Sequence, residues 1–256
     1  MDKKLLNSMF ENLLHIGNKT NHWNAKMKPY IYGSSNGVHV FNLVKTANKI
    51  EEVKKELAEL SKQGKKVLFV ATKLQAREDY AKLAEDTNNF FVNEKWVPGL
   101  LTNFRTIKVR ISTYLRLLKE ANNGSFDVLT KKEKANKLLE LEKLDRAFKW
   151  VKEMKKLPDV IFVVDAAYEA QAVREANSLK LPIYAMANTN TNPDLVNNFI
   201  PANTNSIKSL VYIANELKSV VKASGGASKG TFKKFTEKKL VNKTAPEKKE
   251  SKKEEK

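Results

Sequence analysis

The chain has 256 residues, enough for one large α/β domain with additions or for two modest domains. Its 47 Lys and Arg against 29 Asp and Glu leave a formal charge of +18, with 41% apolar and 30% charged residues. A field that strong calls for a polyanionic partner, and the absence of cysteine excludes thiolate zinc sites, iron–sulfur clusters and cysteine catalysis.

RNA, DNA and an anionic membrane are the polyanions to weigh. No apolar run approaches the roughly 18–20 residues of a spanning helix. After Lys3 and Lys4, the pair Leu5-Leu6 soon meets Asn7, Ser8, Glu11 and Asn12, so no signal-peptide core follows. The expected location is the cytoplasm, with no membrane partner.

In chain order, a first helix is expected to end near His15, after Leu13-Leu14. Residues 17–32 then interleave Lys19, Lys26 and Lys28 with His22, Trp23, Tyr30 and Tyr32, and with the amides of Asn18, Asn21 and Asn24. Cations meet phosphates, amides bond bases or sugars, and flat rings stack on unpaired bases. The alternative is that Trp23, Met27 and Tyr30 pack under a loop. The combined expectation is aromatics mostly inward, with Lys and Asn outward.

Val38–Phe41 is a short strand candidate with His39 in its apolar alternation. Residues 45–62 place Ala47, Ile50, Val53, Leu57 and Leu60 on one helical face. Residues 67–72 form an apolar run typical of a buried parallel strand. A helix over 73–86 carries Leu74, Ala81 and Ala84, and Phe90–Val92 is another short strand candidate. Strands 160–165 and 183–188 alternate with helices 166–179 and 204–221, and Phe199-Ile200 is a last strand candidate. Such alternation predicts a parallel sheet covered by helices on both faces, with right-handed crossovers.

One interval, residues 103–156, contains no strand candidate. Ile107, Ile111, Tyr114 and Leu118 form one stripe, and Leu138, Leu141, Leu144, Phe148 and Val151 a second. Gly124-Ser125 separates them, and Thr130 with Glu133 matches a capping box. Two stripes joined by a turn predict an antiparallel helical hairpin, packed like a short coiled coil with its apolar seam satisfied internally. Residues 105–156 carry 15 basic and 7 acidic residues, so much of the charge excess would lie on this arm. The expected organisation is an α/β body of residues 1–102 and 157–221, the hairpin 103–156, and a disordered lysine-rich tail 222–256. That tail holds 12 Lys and 5 Glu with few apolar residues, too few to offset the entropy of ordering.

Motifs for nucleotide or acyl chemistry are absent: there is no G-x-G-x-x-G, no P-loop and no G-x-S-x-G. Gly64-Lys65-Lys66 precedes a strand instead of joining a strand to a helix. Asp165, at a strand end, is read first as the N-cap of the following helix and only second as a catalytic carboxylate. His15, His22 and His39 have no metal-ligand spacing, so no metal and no cofactor are expected.

These residues resemble the universal family of small-subunit ribosomal protein S-two. His15, Gly17, Thr20, Trp23, Asn24, Lys26, Met27, Tyr30, Ile31, Gly33, Asn36, Gly37, His39 and Leu43 match its opening in order. Residues 68–76 resemble the family's F-V-G-T-K-x-Q-A, and 96–104 its W-L-G-G-x-L-T-N-[FW]. Residues 157–165 resemble its L-P-D strand. Glu175-Ala176 through Pro182, then 188–193, resemble its E-A-x-x-L-x-I-P and D-T-N-x-D-P stretches. The resemblance spans about residues 5–221. It departs at Asn18, where the family has histidine, and at Asn21-His22, where it has two arginines. It departs again at Asn188 and Asn192, where it has aspartates, and in 200–205.

The resemblance implies a flavodoxin-like body with an inserted coiled-coil hairpin. It also implies a non-enzymatic place on the solvent side of the small subunit, bridging head and body through rRNA and supporting the docking of ribosomal protein S-one. The expected partners are small-subunit rRNA and neighbouring small-subunit proteins, not a second copy of the chain. The expected phosphate contacts are Lys19, Lys26, Lys28, Lys73, Arg77, Arg105, Lys108 and Arg110. Asn21, His22, Asn24, Gln75, Thr102 and Asn103 are expected as base, sugar or shape readers. The competing readings are a free-standing nucleic-acid-binding regulator and a nucleotide-dependent enzyme using the crevice at the strand ends.

Overall fold

A computed structural model describes residues 3–221; the lysine-rich tail expected from residue 222 lies outside the described residues. Five strands form a parallel sheet: β4 (Val67–Val70), β5 (Phe90–Val92), β6 (Val160–Val164), β7 (Ile183–Ala187) and β8 (Asn198–Pro201). Their spatial order is β5-β4-β6-β7-β8. Counted within this sheet alone, the order is 2-1-3-4-5, so the chain reverses its direction of travel between β4 and β6.

Both faces of the sheet are covered, which is why β4, β6 and β7 are buried at every residue. Val67, Phe69, Phe162, Val164 and Met186 point to one core, shared with α1 (Lys3–Glu11), α2 (Leu43–Lys62), α3 (Arg77–Asp86) and α7 (Ile207–Val220). Leu68, Val70, Ile161, Val163 and Ala185 point to a second core, under α4 (Phe104–Asn122) and α6 (Ala170–Ser178). The alternation of side chains along each strand therefore separates the two cores residue by residue.

Val38–Phe41 is a strand, but not one of the parallel sheet. It is β3, the centre of a three-stranded antiparallel sheet with β1 (Ile16–Lys19) and β2 (Ile31–Ser35). Asn36 and Gly37 both have positive φ (50° and 74°), the signature of a two-residue type I′ turn. A turn that short joins only antiparallel strands. β1 and β2 escaped the sequence reading because their residues, IGNK and IYGSS, carry no apolar run or alternation.

The antiparallel sheet packs tightly on the body at Gly17. A Cβ there would lie 2.6 Å from Thr189 Cγ2 and 3.0 Å from the His39 carbonyl oxygen. Gly17→Ala should destabilise the protein by about 1–3 kcal/mol, the usual range for overpacking. Chemical denaturation with an unchanged m-value would show it.

Three helices start later than their apolar patterns suggest, at Arg77, Ala170 and Ile207 instead of 73, 166 and 204. The residues before each start form loops at the carboxyl ends of β4, β6 and β8, held by side-chain hydrogen bonds described below. By contrast α2 gains two residues, because Asn42 Oδ1 accepts from the Val44 and Lys45 amides at 3.1 and 3.3 Å and caps it.

The interval 103–156 contains α4 and α5 (Lys131–Phe148). Thr130 caps α5 with the reciprocal bonds of a capping box to Glu133. The Tyr114 hydroxyl donates to Asp145 at 2.5 Å and Lys137 pairs with Glu120 at 3.2 Å, so the two helices run antiparallel. The apolar seam is not satisfied internally, however. Ile107, Ile111, Tyr114, Phe148, Val151 and Met154 are buried in the core beneath α6, while Leu138, Leu141 and Leu144 are only half-buried. Leu117, not Leu118, is the buried residue of the fourth turn. The crossover from β5 to β6 must cover the sheet, so its root gives its stripe to the body.

Candidate nucleic-acid interface

The loops leaving the carboxyl ends of all five parallel strands lie at one end of the molecule. In open α/β sheets the crevice where the strand order reverses is the usual place for a small ligand. Here that place, between β4 and β6, is filled by the protein's own side chains. The ammonium of Lys73 pairs with the Asp165 carboxylate, with side chains only 12% and 6% exposed. It also donates to Asn205 Oδ1 at 2.8 Å and to the Thr204 carbonyl at 3.3 Å. Asp165 Oδ2 accepts from the Thr204 hydroxyl at 2.7 Å. Its Oδ1 accepts from the Ala167 and Tyr168 amides, both at 3.1 Å. Asp165 thus caps the turn before α6, five residues ahead of the first helical residue, with a φ of 76°. Beside it, Glu169 accepts from the Thr72 amide at 2.9 Å, and burial raises its carboxyl above the usual range.

Two of the expected phosphate contacts are therefore turned inward. Lys73 is held by Asp165. Arg77 spends its guanidinium on the Thr72 and Glu94 carbonyls at 3.0 and 3.1 Å, bracing the loops after β4 and β5. Gln75 stays exposed between them.

The N-terminal segment lies against the loop after β7. Asn18 N–H donates to Thr189 Oγ1 at 3.0 Å, and Asn24 N–H donates to the Thr189 carbonyl at 2.7 Å. Asn205 Nδ2 donates to Asn18 Oδ1 at 3.2 Å, which ties the segment to the Lys73 network. The turn 19–22 closes through His22 N–H to the Lys19 carbonyl at 2.9 Å, and Thr20 N–H reaches the Gly37 carbonyl at 2.9 Å. Lys19, Asn21, His22 and Lys28 are exposed. Lys26 is exposed but pairs with Asp194. Asn24 is a cap, its Oδ1 accepting from the Lys26 amide at 3.0 Å. Met27 is buried and Tyr30 packs edge-on against Phe199, as the inward expectation requires. Trp23 and Tyr32 do not follow it, being 40% and 81% exposed.

The loop after β5 carries the next group. Thr102 and Asn103 are exposed just ahead of α4, and Arg105, Lys108 and Arg110 are exposed on its first two turns. Lys108 lies over the Phe104 ring at 5.1 Å. A residue the sequence reading did not single out for this role fixes the loop. Glu175, buried on α6, accepts from the Gly99 amide at 2.8 Å, from Trp96 Nε1 and the Leu101 amide at 3.1 Å, and from Thr102 Oγ1 at 3.4 Å. Burial alone would raise its carboxyl. The donors from Gly99, Trp96, Leu101 and Gln171 outweigh that and hold it below the usual carboxylate range. The sequence signals for it were its place in the Glu175-Ala176 motif and a glutamate on the apolar side of a short Ala-rich helix.

The histidines are not grouped. His15 stacks on Phe10 at 4.2 Å, and burial lowers its pKa. His39 is half-buried under Trp23, with ring centroids 5.1 Å apart. Among the described residues no cluster of three His, Asp or Glu could hold a metal, and no helix is long and apolar enough to cross a membrane.

The arrangement thus offers a rigid end studded with exposed cations and amides, and a ligand crevice already occupied by an ion pair. The sequence model of the family described as Ribosomal protein S2 matches residues 9–224. A relative from Coprothermobacter proteolyticus, named small ribosomal subunit protein uS2, is 41% identical over 216 residues, covering 84% of this chain and 81% of its own. One of the same name from Haemophilus ducreyi is 40% identical over 215 residues, covering 84% and 90%. Another from Mannheimia succiniciproducens is 38% identical over 232 residues, covering 91% and 96%. A match running in order across the α/β body, the inserted helices and the N-terminal segment places this chain in the ribosomal protein S2 family.

Proposed function

We propose that the protein is a structural constituent of the small ribosomal subunit, not an enzyme, and that it holds small-subunit rRNA through the carboxyl-end loops and α4. Family membership supports the ribosomal role. The single observation that carries the RNA reading is how the fold allots its cations. Lys73 and Arg77 are spent inside, while Lys19, Lys28, Arg105, Lys108 and Arg110 are exposed at the loop-bearing end and on the adjoining helix. Asn21, His22, Gln75, Thr102 and Asn103 sit among them as sugar or base readers.

The strand order 2-1-3-4-5 supports the flavodoxin-like reading of the body. The antiparallel contact of α4 with α5 supports reading 103–156 as an arm that crosses an rRNA surface. Docking of ribosomal protein S-one, and a position bridging head and body on the solvent side, follow from the resemblance and belong to the same proposal. The lysine-rich tail 222–256 adds positive charge to it.

Phosphate neutralisation releases condensed counterions, so log affinity should fall linearly with log salt. The expected result is a steep slope for binding to small-subunit rRNA. Lys19→Ala and Lys28→Ala should each flatten it by about one. A flat response in the parent protein would rule out this mechanism. Co-sedimentation with small subunits in a lysate separates the proposal from a free-standing regulator, which would stay at the top of the gradient.

A further inference from the structure

The protein has three tryptophans, and Trp23 is the one whose residue is exposed. Trp96 is buried and bonded to Glu175. Trp150 packs on Phe91 at 4.5 Å. Trp23 is 40% exposed, with one side of its ring against His39. It fills no cavity of the parallel-sheet body, and leaving so much indole in water forgoes a burial worth about 25 cal/mol per Å².

The backbone on both sides of Trp23 is fixed. His22 N–H closes the turn onto the Lys19 carbonyl, and Asn24 N–H is bonded to the Thr189 carbonyl. The ring is therefore presented by a rigid segment, which lowers the entropy lost on binding. Lys19 and Lys28 flank it in the chain, both exposed, and neither pairs with a carboxylate among the described residues. An exposed ring in a segment that carries an uncommitted cation on each side of it in the chain matches a nucleotide whose base is unpaired. The base would stack on the ring while the cations take the phosphates on either side.

The structure assigns Trp23 as a stacking platform for one unpaired nucleobase, its ring held at a tilt against His39. This inference rests on the RNA-binding reading above and deepens it: phosphate contacts alone would not distinguish paired from unpaired strands, whereas this platform does. A duplex keeps its base faces covered and has nothing to offer the indole.

The test uses the full chain at low salt and reads intrinsic tryptophan fluorescence. The probes are an oligoadenylate, an abasic ribose-phosphate oligomer of equal length and an RNA duplex. Oligoadenylate should quench the emission; the abasic oligomer and the duplex should bind without quenching. Trp23→Ala should weaken oligoadenylate about 5- to 100-fold, the range that losing one stacked base supports, and leave its salt slope unchanged. Trp23→Phe keeps a flat ring over His39, so it should hold affinity within about threefold while abolishing the quench. Its melting temperature checks that the fold survives. Equal quenching by the abasic oligomer, or oligoadenylate affinity indifferent to Trp23→Ala, overturns the platform and leaves the phosphate reading standing. If no probe binds at any salt concentration, the RNA-binding reading fails, and the platform with it.

Discussion

Glu175→Ala should lower the stability of the protein by about 3 kcal/mol or more, one of the two largest losses expected at the carboxyl end. One buried carboxylate there satisfies three backbone amides, an indole N–H and a hydroxyl from the loop after β5. Bonds to a charged acceptor contribute about 1.5–3 kcal/mol each, and donors left buried without an acceptor add a further penalty. Glu175→Gln should fail almost as badly, because its amide nitrogen would face N–H groups that need an acceptor. Equilibrium denaturation measures the loss. Exposed Arg105, Lys108 and Arg110 follow that loop, so RNA affinity should fall with it, and protease cutting near Trp96 should increase.

The loss should also depend on pH, with a sign that can be worked out. The folded carboxyl titrates below its ordinary value, so its contribution is fully present above the unfolded pKa. It disappears as pH falls through the depressed folded value. Parent and variant should therefore converge in stability in acid and separate towards neutrality. Glu169 has the opposite sign. Burial raises its folded pKa, so what it contributes is present in acid and lost as pH rises through the raised value. Glu169→Gln keeps an oxygen for the Thr72 amide and should cost little at neutral pH, which makes it the control for Glu175.

The second large effect is at the ion pair between β4 and β6. Asp165→Asn keeps an acceptor for the Ala167 and Tyr168 amides, and Asn tolerates the left-handed backbone at φ 76°. It removes the partner of a Lys73 ammonium that is only 12% exposed. Stranding one member of a buried pair typically costs about 3–5 kcal/mol. Lys73→Met in the same chain removes the orphaned charge, and the double variant should regain most of the loss. Because Lys73 faces inward, the double variant should bind rRNA with an unchanged salt slope. A slope flattened by one would return Lys73 to the phosphate contacts.

The sequence was most informative where a local rule acts alone. Continuous apolar runs marked β4, β6 and β7, since a strand buried on both faces needs no alternation. The 3.6-residue periodicity marked α2 and α4, and Thr130 with Glu133 marked the start of α5. It was least informative in residues 16–35, where polar strands are held by pairing to β3 and by Thr189, about 170 positions away. Nothing within a window of that segment announces such a partner.

The candidate interface divides along the same line. Net charge and its concentration in 105–156 required a polyanion, because charge is additive and needs no structure to count. Which cations face it could not be counted. Lys73 and Lys19 look alike in sequence, each a lysine beside a threonine in a stretch that resembles the family's motifs. One was expected to meet phosphate as readily as the other. Folding brings Asp165 to Lys73 across 92 positions and, among the described residues, brings no carboxylate to Lys19. Composition thus determined the class of partner, and tertiary structure decided which groups are free to meet it. Pairing depends on distances that only the folded chain sets.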